Sequence, residues 1–310
     1  MAALICGSMA FDTIMVFKDR FKAHILPDQI HILNVSFLVP ELRREFGGCA
    51  GNIAYNLALL GEKAWPMGTV GHDFGAYSEW LKRVGVPQDF LRVIDTEHTA
   101  QAFITTDLDD NQITAFHPGA MNASHTNQVP VNQGVRIGMV SPDGRQGMLD
   151  HAAQFAAAGI PFIFDPGQGM PMFDGDDLQR FIDQATWVTV NDYEWQLLQE
   201  RTGWDAARVA ERVEALVVTR GAEGSQIHCA GKRVDIPPVK AASLADPTGC
   251  GDAYRAGLLY GLLHKLDWET TGRIASLLGS IKIGHRGTQN HSFTLADFRQ
   301  RFRAEFGTHF

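Results

Sequence analysis

A chain of 310 residues, 45% hydrophobic and 20% charged, is long enough for one large core with a smaller appendage and has the make-up of a globular enzyme. Its formal net charge of -8 argues against a nucleic-acid binder, which carries a basic stripe, but leaves room for a phosphorylated ligand held by a local loop. No stretch approaches the roughly 18 apolar residues of a membrane span, the first residues lack a basic n-region, and Cys6, Cys49, Cys229 and Cys250 form no Cys-x-x-Cys pair; the expectation is a cytoplasmic protein with no membrane association, zinc site or disulfide framework.

Ala2–Cys6 reads as a short buried strand ending in Gly7-Ser8, with Asp12 a few residues on. Small residues and an Asp after a strand mark a ligand-binding edge in open α/β sheets, although a turn or capping Asp would look the same. Residues 13–46 lack helical periodicity; Val16, Phe17, Ile30, Ile32, Val35 and Phe37 suggest short strands broken by Pro27 and Pro40. Gly47-Gly48-Cys-Ala-Gly51-Asn52 then opens a helix whose apolar face is Ile53, Leu57 and Leu60 and whose stop is Gly61. Three glycines within five residues exceed what a tight strand-to-helix turn needs. They leave backbone N–H groups and the Asn52 side chain at a helix N-terminus.

Ala64–Val70 reads as a strand and Tyr77–Val84 as a helix closed by Gly85. From His98 the pattern alternates, with Ala102, Ile104 and Thr106 on one face and Phe103 and Thr105 on the other; it turns at Asp109-Asp110-Asn111 and resumes through Phe116. That is a β-hairpin, and with the 13–46 excursion it would make a small sheet placed as a lid. From Val135 strands near 136–140, 161–164, 187–190 and 216–219 alternate with helices near 147–158, 176–184, 192–201 and 206–213, which demands a parallel sheet with right-handed crossovers. A hairpin at 226–229 and 232–236 and a helix at 275–283 complete the α/β body.

The densest chemistry lies at Asp246-Pro-Thr-Gly-Cys-Gly-Asp252, just before an apolar run from Ala253 to Leu266. Glycines at a helix start make an anion site, and Asp252 in the first turn could accept a hydroxyl proton, a pairing suited to phosphoryl transfer. A plain strand-to-helix turn with a capping Asp remains the structural alternative. Asn191-Asp-Tyr-Glu194 and Thr219-Arg-Gly221-Ala-Glu-Gly224 also follow strands, where the first would serve equally as an N-cap with an acidic N3 residue and the second as an ordinary strand exit. Together with Asp12, Gly48 and Asn52 they suggest a polyol site beside a polyphosphate site.

Asp246–Asp252 resembles the D-T-x-G-A-G-D signature of the ribokinase (PfkB) family of sugar and nucleoside kinases, with Pro247 and Cys250 as departures. Gly47-Gly48-x-x-x-Asn52 and Asn191-x-x-Glu194 match two further family motifs in order, and Phe116-His-Pro-Gly-Ala-Met121 and Gly287-Thr-Gln289 resemble the bacterial adenosine kinases, where Pro247 is usual. The resemblance runs from near residue 5 to near 290. It implies a ribokinase-like three-layer α/β fold with a mostly parallel sheet, the body being residues 1–12, 47–97 and 119–310 and the β-sheet lid 13–46 and 98–118.

The implied activity is ATP-dependent phosphorylation of a ribonucleoside 5′-hydroxyl, with free ribose as the alternative acceptor and a catalytically silent nucleoside sensor as the reading from another class. By resemblance Asp12 grips the ribose hydroxyls with Ser8, Gly48 and Asn52, Asp252 is the base, and the N–H groups of Gly249, Cys250 and Gly251 form the anion hole. Asn191 and Glu194 act through Mg²⁺ and its waters, and Thr219, Gly221 and Gly224 line the ATP site. Phe103 and Phe116 would flank a purine, or else form the hairpin's own core, with Gln168 offering an amide to the base. Asp246, Thr248 and the 286–291 loop match the position of a family monovalent-cation site, where His291 departs from the pattern and leaves K⁺ dependence open; a homodimer through the lid is left open too. Cys49 and Cys250, both at helix N-termini, are expected to have depressed thiol pKa values, and oxidation or alkylation at Cys250 is expected to block the anion hole. A nicotinamide-dependent dehydrogenase and a P-loop kinase are disfavoured because G-x-G-x-x-G and Walker A patterns are missing.

Overall fold

Every residue of β1 (Ala2–Cys6) is buried, and the strand's alternation divides the body into two apolar layers. Ala3 and Ile5 point into one, Ala2, Leu4 and Cys6 into the other. The computed structural model describes residues 2–25, 34–109 and 111–310; Pro27, Ile30, Ile32 and Asp110 of the expectations above lie outside them. After β1 come β2 (Ala10–Val16), the single turn α1 (Phe21–His24), β3 (Glu41–Gly47), α2 (Cys49–Leu59), β4 (Lys63–Gly71), α3 (Gly75–Arg83) and β5 (Phe90–Ile94). Next are β6 (Ala100–Thr106), β7 (Gln112–His117), β8 (Val135–Val140), α4 (Arg145–Ala158), β9 (Phe162–Phe164), α5 (Gly175–Gln184), β10 (Trp187–Asn191), α6 (Asp192–Thr202) and α7 (Ala206–Ala210). The chain ends with β11 (Ala215–Thr219), β12 (Ser225–Cys229), β13 (Lys232–Ile236), α8 (Cys250–Leu263), α9 (Trp268–Lys282) and α10 (Leu295–Phe306).

Among the described residues the strands form two sheets. The larger has nine, in the order β13-β12-β11-β10-β9-β8-β1-β4-β5. It is parallel from β5 to β11 and antiparallel at β12 and β13. Side chains of α2, α3, α8, α9 and α10 pack in one apolar layer and those of α4, α5, α6 and α7 in the other, giving helix, sheet and helix in three layers. Phe155, Phe162 and Phe164 in the second layer are fully buried, each stabilising by about 2 kcal/mol. No helix among the described residues is long and apolar enough to cross a membrane.

The connection from β1 runs to β4 on one side while β8 returns on the other, so the strand order reverses at β1. Its carboxyl end, Gly7-Ser8, is therefore a switch point, the place where open α/β sheets leave a crevice. The smaller sheet, β3-β2-β6-β7, springs from that point. β2 starts at Ala10, runs parallel to β6 and antiparallel to β3. Val35 and Phe37 are not in a strand. Phe37 instead packs against Phe17 and Phe21 at ring separations of 4.8 and 5.0 Å. The helix expected to reach Val213 stops at Ala210, and the one expected from Ala275 starts at Trp268, where the Asp267 side chain caps it. β5 and α10 were not anticipated, though Thr294-x-x-Asp297 is a capping box and Phe298 and Phe302 lie one turn apart.

Candidate active site

Two helix N-termini meet at the crevice, both led by a glycine with positive φ. Gly48 precedes α2 at φ +86°, where a Cβ would sit 2.5 Å from the Ser8 carbonyl and 2.6 Å from the Ala10 nitrogen. Ser8 locks this turn to the end of β1: its Oγ accepts the Cys49 N–H at 3.1 Å and its carbonyl the Ala50 N–H at 3.0 Å. Gly249 precedes α8 at φ +78°, and neither helix has a side-chain cap. Asn52 of α2 donates from Nδ2 to Oδ2 of Asp252 in the first turn of α8, at 2.8 Å.

The direction of that bond is set from behind. The Trp80 indole, which can only donate, reaches Gln289 Oε1 at 2.9 Å. Gln289 must then present Nε2 to Asn52 Oδ1 at 3.0 Å, and it also donates to the Tyr77 hydroxyl at 2.6 Å. The Tyr77 hydroxyl donates in turn to the Gly47 carbonyl at 2.9 Å. With its oxygen occupied, Asn52 can turn only its NH₂ to Asp252. A chain of this kind fixes an orientation more firmly than one bond could.

Burial lifts the Asp252 carboxyl to about 6, against the pull of Asn52 and Arg255. Burial also lifts Asp12, on β2, to about 6, with the neighbouring charges of Asp252, Glu45 and Asp246 adding to the effect. Its carboxylate lies against Gly47, where a Cβ would fall 2.4 Å from Oδ2. Four carboxylates thus converge on one crevice. Arg255, one turn beyond Asp252 on α8, makes a bidentate pair with Asp165 at 3.0 and 2.9 Å and stands 3.7 Å from Glu194.

Asn191 and Glu194 form a full capping box at the start of α6: Asn191 Oδ1 accepts the Glu194 N–H at 2.7 Å, and Glu194 accepts from the Asn191 N–H at 2.7 Å and from Nδ2 at 2.9 Å. Beyond it a largely apolar cavity of about 570 Å³ is lined by Thr219, Gly221, Gly224, Pro238, Leu244, Tyr254 and Ile283 and reaches Cys250 and Gly251. Gln168 is exposed on the turn Gly167–Met172.

Three expectations need correction. Phe103 pairs with Ala115 and Phe116 with Ala102, so the two rings lie on opposite faces of the small sheet and cannot flank one base. Phe116 shares the face of Asp12, whose register partner is Ala102. The Cys250 N–H closes a turn onto the Pro247 carbonyl at 3.2 Å, a consequence of the left-handed Gly249, so it is not free for an anion as the N–H groups of an open first turn would be. Finally, burial pushes the Cys49 thiol well up and that of Cys250 to about 11, so neither is the ready thiolate expected of a helix N-terminus.

Around Asp246 every oxygen already has a donor. Oδ1 accepts the Thr248 N–H and Oδ2 the Gly287 N–H, both at 2.9 Å, and the carbonyl accepts the Lys282 ammonium at 2.7 Å. Thr248 is exposed, and His291 is buried with Nε2 on Asn56 Oδ1 at 2.7 Å. Among the described residues no group of three or more His, Cys, Asp or Glu is gathered to hold a metal ion. Gln289, Tyr77, Trp80, Arg255, Asp165 and Lys282 were not read as site residues. Only Gln289 carried a signal, as part of Gly287-Thr-Gln289.

The model of the pfkB family carbohydrate kinases matches residues 14–294. The nucleoside kinase of Burkholderia thailandensis, solved in complex with inosine, is 51% identical and superposes with a TM-score of 0.91 over 99% of each chain. A second structure of that kinase, in complex with ADP-inosine, is 52% identical with a TM-score of 0.88, covering 99% of this chain and 97% of the other. The nucleoside kinase of Methanocaldococcus jannaschii is 33% identical over 261 residues, 83% of this chain and 85% of the relative. With these matches spanning a three-layer α/β body and a crevice built on two glycine-led helix N-termini, the chain belongs to the pfkB family of carbohydrate kinases.

Proposed function

We propose that this protein is an ATP-dependent nucleoside kinase that transfers a phosphoryl group to the 5′-hydroxyl of a ribonucleoside. The observation that carries the reading is the Asn52-held Asp252 carboxylate, lifted to about 6 at the start of a glycine-led helix. A base working near neutral pH needs a pKa raised toward that range, and it must be held in reach of the hydroxyl. The similarity to nucleoside kinases supports a nucleoside over free ribose as acceptor.

In this reading Asp12, with the Gly48 turn closed by Ser8, accepts hydrogen bonds from the ribose 2′- and 3′-hydroxyls. That orients the 5′-hydroxyl toward Asp252, which takes its proton. The N–H groups of Gly249 and Gly251 and the dipole of α8 stabilise charge on the transferred group. The adenosine of ATP occupies the apolar cavity walled by Thr219, Gly221, Gly224 and Leu244. Mg²⁺ suits a water-mediated place beside Glu194, because both carboxylate oxygens there already accept N–H donors and the ion commonly keeps its waters. It would neutralise phosphate charge. The four-stranded sheet acts as the lid, residues 13–46 and 98–118 closing over a body of 1–12, 47–97 and 119–310, with Phe116 the aromatic ring on its inner face. Closure excludes water, without which a phosphoryl acceptor and water compete.

The reading is tested by ATP consumption with Mg²⁺ across adenosine, inosine, guanosine, cytidine, 2′-deoxyadenosine and ribose. Turnover of ribonucleosides with a large loss for the deoxy compound is expected. Turnover of ribose alone would replace the nucleoside reading, and tight nucleoside binding without turnover would make the protein a sensor.

A further inference from the structure

A buried lysine stands where the resemblance placed a monovalent cation. Lys282, the last residue of α9, is fully buried, and its Nζ donates to the Asp246 carbonyl at 2.7 Å and the His285 carbonyl at 3.3 Å. Those two carbonyls belong to the segments that frame Gly249: one begins the Asp246–Asp252 loop, the other leads to Gly287 and Thr288. Thr288 lies so close that a Cβ on Gly249 would be 3.1 Å from its Cγ2. Main-chain carbonyls are the kind of ligand an alkali cation takes, and here the ammonium supplies the positive charge they face from within the chain. The Asp246 carboxylate, which could neutralise it, is turned instead to the N–H groups of Thr248 and Gly287. The residues present therefore do not fit a K⁺ ion.

We propose that the Lys282 ammonium is the built-in cation of the phosphate cradle, so that phosphoryl transfer by this protein needs no monovalent metal ion. The inference rests on the kinase reading above. Burying an ammonium is costly, and a cost of that kind persists where the charge is used. Here the direct partners are neutral carbonyls, and the carboxylates that feel the ammonium, Asp246 and Asp252, act on it through space, against the burial that disfavours its charge. In a water-poor pocket the field of the ammonium favours the negative charge that develops on the transferred group. It also holds the Asp246 carbonyl, and with it the turn that aims the loop N–H groups. Lys282 touches no reacting atom in this arrangement; it is a positioning residue.

The test compares the full-length protein in buffers whose monovalent cation is K⁺, Na⁺ or tetramethylammonium. Wild-type turnover and the ATP dissociation constant, read by calorimetry, are expected to be the same in all three. Lys282→Ala is expected to lose about 10²-fold in kcat in tetramethylammonium, with nucleoside KM little changed, and to recover in a saturable way with K⁺ or methylammonium. Lys282→Met, which fills the space without the charge, should lose turnover and not recover. Strong K⁺ activation of the wild type, or wild-type turnover in both variants, would overturn the proposal. Should both variants fail a melting control, the wild-type comparison alone decides. If no nucleoside is turned over in any buffer the kinase reading fails, and the ATP dissociation constant with and without K⁺ still reads the cation question.

Discussion

The helix N-termini of this protein are of two kinds. Those of α5, α6, α7, α9 and α10 are closed by the side chains of Asp174, Asn191, Asp205, Asp267 and Thr294, each accepting an N–H of the first turn. Those of α2 and α8 are led by Gly48 and Gly249 with positive φ and have no side-chain cap. α1, α3 and α4 also begin without one, yet Arg20, Phe74 and Gly144 before them have ordinary negative φ. A capping side chain is worth about 1 kcal/mol, and it fills the space in front of the helix. At the two N-termini that face each other across the crevice the leading residue gives no cap: at α2 the Ser8 hydroxyl takes the Cys49 N–H from outside the helix, and at α8 the Cys250 N–H turns onto the Pro247 carbonyl. There the polar side chains, Asn52 and Asp252, bond across to one another instead of back to their own helix.

The largest break of this contrast removes the proposed base. Asp252→Asn should lower kcat by about 10²–10⁴ with little change in KM. In the wild type kcat/KM should rise with pH through about 6 and level off, because only the ionised carboxylate accepts the proton. An Asn variant with near-normal turnover would remove Asp252 from the mechanism.

Gly48→Ala isolates the role of close approach. The left-handed φ alone costs a non-glycine residue about 1–2 kcal/mol, and here the new Cβ would also strike the Ser8 backbone. Nucleoside KM should rise by about tenfold or more, since roughly 1.4 kcal/mol of misplaced binding already gives that factor. Gly203→Ala is the control: φ is +71° but nothing lies within 4 Å. It should lower the melting temperature and leave KM alone. Equal kinetic effects in the two variants would refute the argument from close approach.

Asp12 sharpens the contrast through stability. Its folded pKa lies above the ordinary 3.8, so the native state holds the proton longer than the unfolded chain does. Stability present below about pH 4 is then lost as pH rises through about 6. Asp12→Asn should therefore stabilise the free protein at pH 7 by about 1–2 kcal/mol while weakening nucleoside binding. The gain in melting temperature should vanish below pH 4. A wild type more stable than the variant at pH 7 would show that Asp12 is paired, not strained.

Much of this arrangement was legible because the candidate site sits at strand ends, which local pattern reveals. Gly48, Asn52 and Asp252 are each announced by glycines before a helical run, and the alternation of strands and helices after Val135 requires a parallel sheet. What pairs them was not legible. Nothing in the spacing tells that a lysine at 282 ends on the carbonyl of 246, or that Arg255 finds Asp165. The two phenylalanines fail for a finer reason. Residues whose numbers sum to 218 face each other across β6 and β7, as Ala102 and Phe116 do. A shift of one residue would have set Phe103 opposite Phe116, and a hairpin's register rests on its turn. The thiols fail because a helix N-terminus lowers a pKa locally, whereas the burial that raises it is tertiary.

The smallest expected effect tests the other side of the contrast. Asn191 is fully engaged as a cap: its carbonyl takes the Glu194 N–H, its amide gives to the Glu194 carboxylate, and that carboxylate holds the Asn191 N–H. Asn191→Ala should cost about 1 kcal/mol, visible as a lower melting temperature. Asn191→Ser keeps an oxygen for the N–H and should restore most of that stability. If the side chain only caps, Ser should restore turnover as well. If it also orders water around a phosphate-bound ion, Ser should restore the melting temperature and leave kcat low, because the lost amide is the part a serine cannot replace. Stability and turnover recovering together would place α6 with the helices that are closed for structure alone; their separation would place it with α2 and α8.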